Sequence, residues 1–147
     1  MKKYQSETFK KSAQHAMNGL YLALRTQRNL IKHILIAIFV LLLALFLKAN
    51  TIEIAILIIT NAFVLVVEII NSVIEFIMDA YYKNKYSRLC KFAKDMSAGA
   101  VLFSALISAF VAFILLFPKL LALFKNCMAM LFTSPNASMC VRMAIVA

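Results

Sequence analysis

Residues 68–79 read EIINSVIEFIMD, and this stretch decides the fold. Three carboxylates, Glu68, Glu75 and Asp79, interrupt a segment otherwise apolar enough to cross a membrane. A charged side chain in hydrocarbon is costly, so it turns toward protein, a metal or a water-filled cavity. At 3.6 residues per turn, Asn71 falls roughly 60° to one side of Glu68, Glu75 roughly 20° to the same side, and Asp79 roughly 20° to the other. All four share one helix face. At about 1.5 Å rise per residue, Glu75 lies roughly 10 Å from Glu68 along the axis and Asp79 roughly 6 Å further. A ladder of inward-facing oxygens on a spanning helix predicts a functional site.

The rest of the chain fits a membrane setting. Hydrophobic residues make up 64% of its 147 residues and charged residues 15%. Ordinary soluble domains run to about 45–50% and about 25%. With about 20 apolar residues per crossing, the chain has room for three or four helices. The expectation is an all-α membrane protein of one small domain, and a protomer this thin points to a homo-oligomer. The net charge of +10 does not imply nucleic acid. The basic residues border the apolar segments, where they set topology and meet anionic lipid headgroups. Cys90, Cys127 and Cys140 show no metal-ligand or redox spacing. No cleavable leader is expected, because the first apolar stretch starts near residue 30 behind a long polar helix.

Four helices are expected. Phe9, Ala13, Ala16, Met17, Leu20 and Leu24 form one stripe, which predicts an amphipathic surface helix over about 9–28. A soluble helix packed on its neighbours has the same pattern. Spans are expected at about 31–47, 51–79 and 92–117, with a tight turn at Lys48–Asn50 and a basic, tyrosine-rich loop over 80–91. The third span carries Ser97, Gly99, Ser104, Ala105, Ser108, Ala109 and Ala112, small residues that let membrane helices approach closely. Pro118 is expected to close it. Residues 1–118 then form the membrane domain, and 119–147 an interfacial or loose appendage. Seven Lys and Arg precede the first span, and five lie between Lys83 and Lys94. That bias predicts a cytoplasmic N-terminus, with the acidic end of the second span on the same side.

Carboxylates with an amide suit a hard cation such as Mg²⁺. Withdrawal from water makes a carboxylate a stronger base, which is useful in general-base catalysis. Lys94, beside Asp95, can hold a phosphate as a point charge. Base, metal ligands and phosphate-binding cation are the parts phosphoryl transfer needs. With only Gly19 and Gly99 in the chain, neither a P-loop nor a kinase glycine-rich loop can be built. Spacing alone leaves open proton or cation transport and plain structural pairing of the acids with Lys94 or Arg88.

Two motifs separate these readings. ExxNSxIExxxD at 68–79, followed by AKDMSAGAVL at 93–102, resembles the bacterial membrane diacylglycerol kinase and undecaprenol kinase family over about residues 9–117. The resemblance implies a trimer in the inner membrane, with active sites at protomer contacts, ATP as phosphoryl donor with Mg²⁺, and a membrane lipid alcohol as acceptor. It implies Glu68 as catalytic base, Glu75 as metal ligand and Asn71 as support for substrate or carboxylate. Asp79, Lys94 and Asp95 would shape the nucleotide end. Gly19, Arg28, Asn29 and His33 match some members, although His33 by itself reads as an interfacial histidine. In the family a glutamate just before the first span joins the metal site; here that position is Gln27, which keeps a carbonyl oxygen but no charge. Weakened metal binding, even a catalytically impaired member, is the expected consequence. The tail beyond Pro118 is longer than the family's usual end.

Overall fold

The structure is a computed structural model that describes residues 9–83 and 85–133. Expectations for residues 1–8, for the turn beyond Thr133 and for the closing VRMAIVA lie outside the described residues. The described chain is helical: α1 (Phe9–Thr26), α2 (Arg28–Phe46), α3 (Thr51–Tyr82) and α4 (Arg88–Thr133). The last three are long and apolar enough to cross a membrane.

The boundaries follow local chemistry. Gln27 adopts an extended backbone and separates α1 from α2, so the first helix ends at Thr26 rather than near 28. At the end of α2, Lys48 takes a left-handed conformation, with φ 53°. Ala49 N–H donates to Ala44 O and Lys48 N–H to Leu45 O, at 2.9 and 3.0 Å. These two bonds are the Schellman pattern that satisfies a helix's last carbonyls. Asn50 then starts α3 through a capping box: its Oδ1 accepts from Glu53 N–H, and Glu53 Oε2 accepts from Asn50 N–H at 2.7 Å. Such a cap satisfies two donors that a helix start leaves orphaned. Nothing after Asp79 breaks the helix, so α3 continues to Tyr82 and stops at Lys83, also left-handed. Helix α4 begins at Arg88, so the expected 80–91 loop shrinks to five residues, 83–87.

The larger correction is at Pro118. It does not end the third long helix, because α4 runs through it to Thr133. Proline cannot donate to the carbonyl of Ile114 and disfavours a helix interior. Membrane helices tolerate it where neighbouring groups compensate. Here Leu116 is buried against Ala44, Leu47 and Leu57, and Lys119 Nζ reaches Glu53 Oε2 at 3.0 Å. Both contacts hold the chain on either side of the proline against α2 and α3.

Packing divides the bundle into two ends. The apolar cluster of Ala44, Leu47, Leu57 and Leu116 clamps the end where α2 turns into α3. Toward the other end, α3 buries Val64, Glu68, Asn71 and Ser72, and α4 buries Ser97, Val101, Ser104 and Ser108. The serines largely satisfy themselves: Ser97 and Ser104 hydroxyls donate to backbone carbonyls one turn back, at 3.0 and 2.8 Å. Ser108 donates across to Asn61 Oδ1 at 3.4 Å. Gly99, expected at this contact, is exposed, with open space where a Cβ would stand. Around the bundle Phe39, Phe103 and Phe110 are each about two thirds exposed. A surface this apolar belongs against lipid or other copies.

The Glu53–Lys119 pair should be energetically coupled. A double-mutant cycle of Glu53→Gln and Lys119→Met, read as unfolding free energy in mixed micelles, should give a small favourable coupling. A coupling of zero would mean the pair does not hold the turn after Pro118.

Candidate functional site

The site is assembled on α3 and completed by α2 and α4. Glu68 is 3% exposed, held between apolar turns by the packing of α3 on its neighbours. Its backbone carbonyl accepts from Ser72 Oγ at 3.0 Å, yet its carboxylate accepts no hydrogen bond among the described residues. His33 from α2 and Glu75 from α3 act on it electrostatically. Asn71 is 6% exposed. Its amide donates to Glu75 Oε1 at 3.3 Å, while its Oδ1 is buried without a hydrogen-bond partner among the described residues. Buried polar atoms are nearly always satisfied, so an orphaned one in a native fold asks for an explanation. Two oxygen acceptors, the Glu68 carboxylate and Asn71 Oδ1, therefore lie one helical turn apart on the same face and lack protein donors.

Exposure rises along the ladder. Glu75 is half-buried and Asp79 exposed. Asp79 Oδ1 forms an ion pair with Lys94 Nζ of α4, and Glu75 also acts on Lys94 electrostatically. Asn71 is thus bonded to Glu75 in the middle of the ladder, and Asp79 is paired with Lys94 at its end. Beyond it opens a cleft of about 390 Å³, between the end of α3 and the start of α4. Lys85, Lys91 and Lys94 line it with Asp79, Asp95 and Tyr86. Three ammonium groups against two carboxylates leave it net cationic, which suits a polyanion.

The structure thus brings together Glu68, Asn71, Glu75, Asp79 and Lys94, and it places Asp95 at the adjoining cleft. Gln27 lines a second cleft of about 430 Å³ beside Gly19, Ser72 and Phe76. Among the described residues no three His, Cys, Asp or Glu side chains converge to hold a metal ion. Magnesium seldom needs such a cage, because it commonly uses one or two carboxylates together with substrate phosphates. The half-buried Glu75 and the orphaned Asn71 oxygen supply hard donors that fit it. His33 is the residue whose importance the sequence understated: the packing of α2 on α3 sets it near Glu68. The only earlier signal was its match to some family members.

The family model for prokaryotic diacylglycerol kinase matches residues 14–116, which include every residue of this constellation. A Synechocystis protein named diacylglycerol kinase is 36% identical over 112 residues, covering 76% of this chain and 64% of that protein. The chain thus matches slightly under two thirds of that relative's length. A Bacillus subtilis protein named undecaprenol kinase is 34% identical over 112 residues, covering 76% of this chain and 90% of that protein. With the match extending over most of its length and over all the helices that build the site, this chain belongs to the prokaryotic diacylglycerol kinase family.

Proposed function

We propose that the protein is a membrane lipid kinase that transfers the γ-phosphate of ATP to the hydroxyl of a lipid alcohol, diacylglycerol or undecaprenol. The observation that carries this reading is the buried Glu68 carboxylate, which has no hydrogen-bond donor among the described residues and lies one turn from the unsatisfied Asn71 oxygen. A lipid hydroxyl is the donor such a carboxylate can use. The names of the relatives support phosphoryl transfer over the transporter alternative.

Glu68 takes the proton of the lipid hydroxyl. The freed oxygen attacks the γ-phosphorus, its new P–O bond forms as the β–γ bridging P–O bond breaks, and ADP leaves. Asn71 orients the acceptor or the carboxylate beside it. Lys94, held by Asp79, neutralises phosphate charge, with Lys85, Lys91 and Asp95 shaping the nucleotide end. Catalysis of this kind is mostly positioning and charge neutralisation. Glu75, with Gln27 as a weaker partner, would hold Mg²⁺, whose charge offsets that of the phosphates. His33 is a positioning residue on Glu68.

A homotrimer in the bacterial inner membrane, with its N-terminus cytoplasmic and sites at protomer contacts, completes the reading. Wide apolar faces remain open for other copies, which favours sites shared between copies. Helix α1 is read as the amphipathic surface helix, exposing Phe9, Met17 and Tyr21 toward the membrane interface. Residues 1–118 make up the lipid-kinase domain. The boundary near 118 reflects where family similarity ends, since α4 itself continues.

The test is a labelled-ATP assay with diacylglycerol and undecaprenol in one mixed-micelle preparation. Glu68→Gln should lower phosphoryl transfer by roughly 10²–10⁴-fold with the fold retained, the usual range for a lost general base. A folded Glu68→Gln protein at wild-type rate would end the assignment of that role. Lys94→Met should raise the KM for ATP more than it changes the KM for lipid; equal effects on both would remove Lys94 from the nucleotide end. Gln27→Glu should lower the Mg²⁺ concentration giving half-maximal rate, and an unchanged Mg²⁺ titration would show that the metal does not use this position.

A further inference from the structure

Helix α4 is longer than a bilayer needs. Its 46 residues span roughly 69 Å at about 1.5 Å per residue, against a hydrocarbon core of about 30 Å. About 20 residues from Met96 already reach the level of Leu116 and Pro118. At that level Lys119 pairs with Glu53, at the turn where α2 hands over to α3. The residues beyond Lys119 therefore stand outside the bundle. They lie past residue 116, where the family match stops.

Their surface is not that of a helix made for water. Leu120, Leu121, Phe124 and Met128 are all exposed. At 100° per residue they continue the stripe of Phe110, Phe113 and Phe117 within an arc of roughly 100°. Those three phenylalanines are exposed on the outer side of α4. Lys125 and the exposed Leu123 fall outside the stripe and Asn126 on the opposite side. One apolar face thus runs without interruption from the spanning part of α4 into the part beyond it. A straight continuation would lift this face off the membrane into water. Pro118 stands at the junction and supplies the missing hydrogen bond at which a membrane helix bends.

We propose that the segment from Lys119 to Ala129 lies along the membrane surface opposite the Lys94 cleft. It is hinged at Pro118, tethered by the Lys119–Glu53 pair, and sinks Leu120, Leu121, Phe124 and Met128 into the headgroup–acyl boundary. Lys125 meets anionic headgroups at its polar edge. The partner is a lipid surface. The arrangement is independent of the kinase chemistry.

The chain contains no tryptophan, so a single introduced one reports its own surroundings. Full-length Phe124→Trp is reconstituted into phosphatidylethanolamine–phosphatidylglycerol vesicles made with lipids brominated either near the headgroups or near the bilayer centre. Its emission should be blue-shifted and weakly quenched by iodide. Bromine near the headgroups should quench it roughly twofold more than bromine near the centre, as shallow interfacial burial requires. Asn126→Trp, on the other face, should be red-shifted and readily quenched by iodide. Met128→Trp repeats the first measurement one turn on if Phe124→Trp does not fold. Iodide-accessible tryptophan at both 124 and 128, untouched by either bromolipid, would mean a helix projecting into water and overturn the proposal. A blue-shifted signal insensitive to bromolipid would mean that another protein copy covers the face, and stronger quenching from the bilayer centre would mean a buried crossing. Either result also overturns it.

Discussion

A carboxylate withdrawn from water and left without a donor among the described residues is the constraint on which the rest of this molecule depends. Glu68 is almost wholly buried in a bundle whose outer faces are hydrocarbon-like. A buried charge of this kind is destabilising unless paired or hydrogen-bonded. The fold maintains it by separating tasks along its length. The Ala44–Leu57–Leu116 cluster and the Glu53–Lys119 pair secure one end. The other end can then hold polar groups that packing alone would reject. Serines along α4 permit close approach to α3 and satisfy themselves on nearby acceptors, so they add no further unpaired atoms.

The gradient of exposure from Glu68 to Asp79 links this constraint to chemistry. Acceptors that need a donor lie deep, where the proposed reading places the lipid hydroxyl. Groups that handle multiply charged species lie shallow, where the Asp79–Lys94 pair opens onto a basic cleft. A reaction between a membrane-bound alcohol and a water-borne phosphoryl donor has to take place across this boundary. Gln27 introduces an internal contrast. It keeps an oxygen at a position where the resemblance implies a charge, so the metal would depend more heavily on Glu75 and on substrate phosphates.

Local pattern made much of this legible in the sequence. Three long apolar runs gave three long helices, and the 68–71–75–79 spacing put four polar side chains on one face of α3. The tight turn at Lys48–Asn50 could be read because its cause is local. What escaped the sequence depends on contacts between distant residues. Pro118 reads as a terminator until Leu116 and Lys119 are seen packed on α2 and α3. Glu53 and Lys119 are far apart in the chain, and no spacing rule pairs them. His33 gains meaning only when α2 sets it near Glu68. Gln27 was expected inside the first helix, whereas it forms the corner between two helices.

The most direct test of the central claim is to ask where the hydroxyl of a lipid alcohol docks. A diacylglycerol or undecaprenol analogue carrying a diazirine beside its hydroxyl can be photolysed with the full-length protein in bilayers, and the adducts mapped by mass spectrometry. The account predicts labelling concentrated on the 64–75 segment of α3, with Glu68 the main site and competition by unlabelled lipid. Adducts confined to outward-facing residues such as Phe39 and Phe103, insensitive to competing lipid, would contradict it.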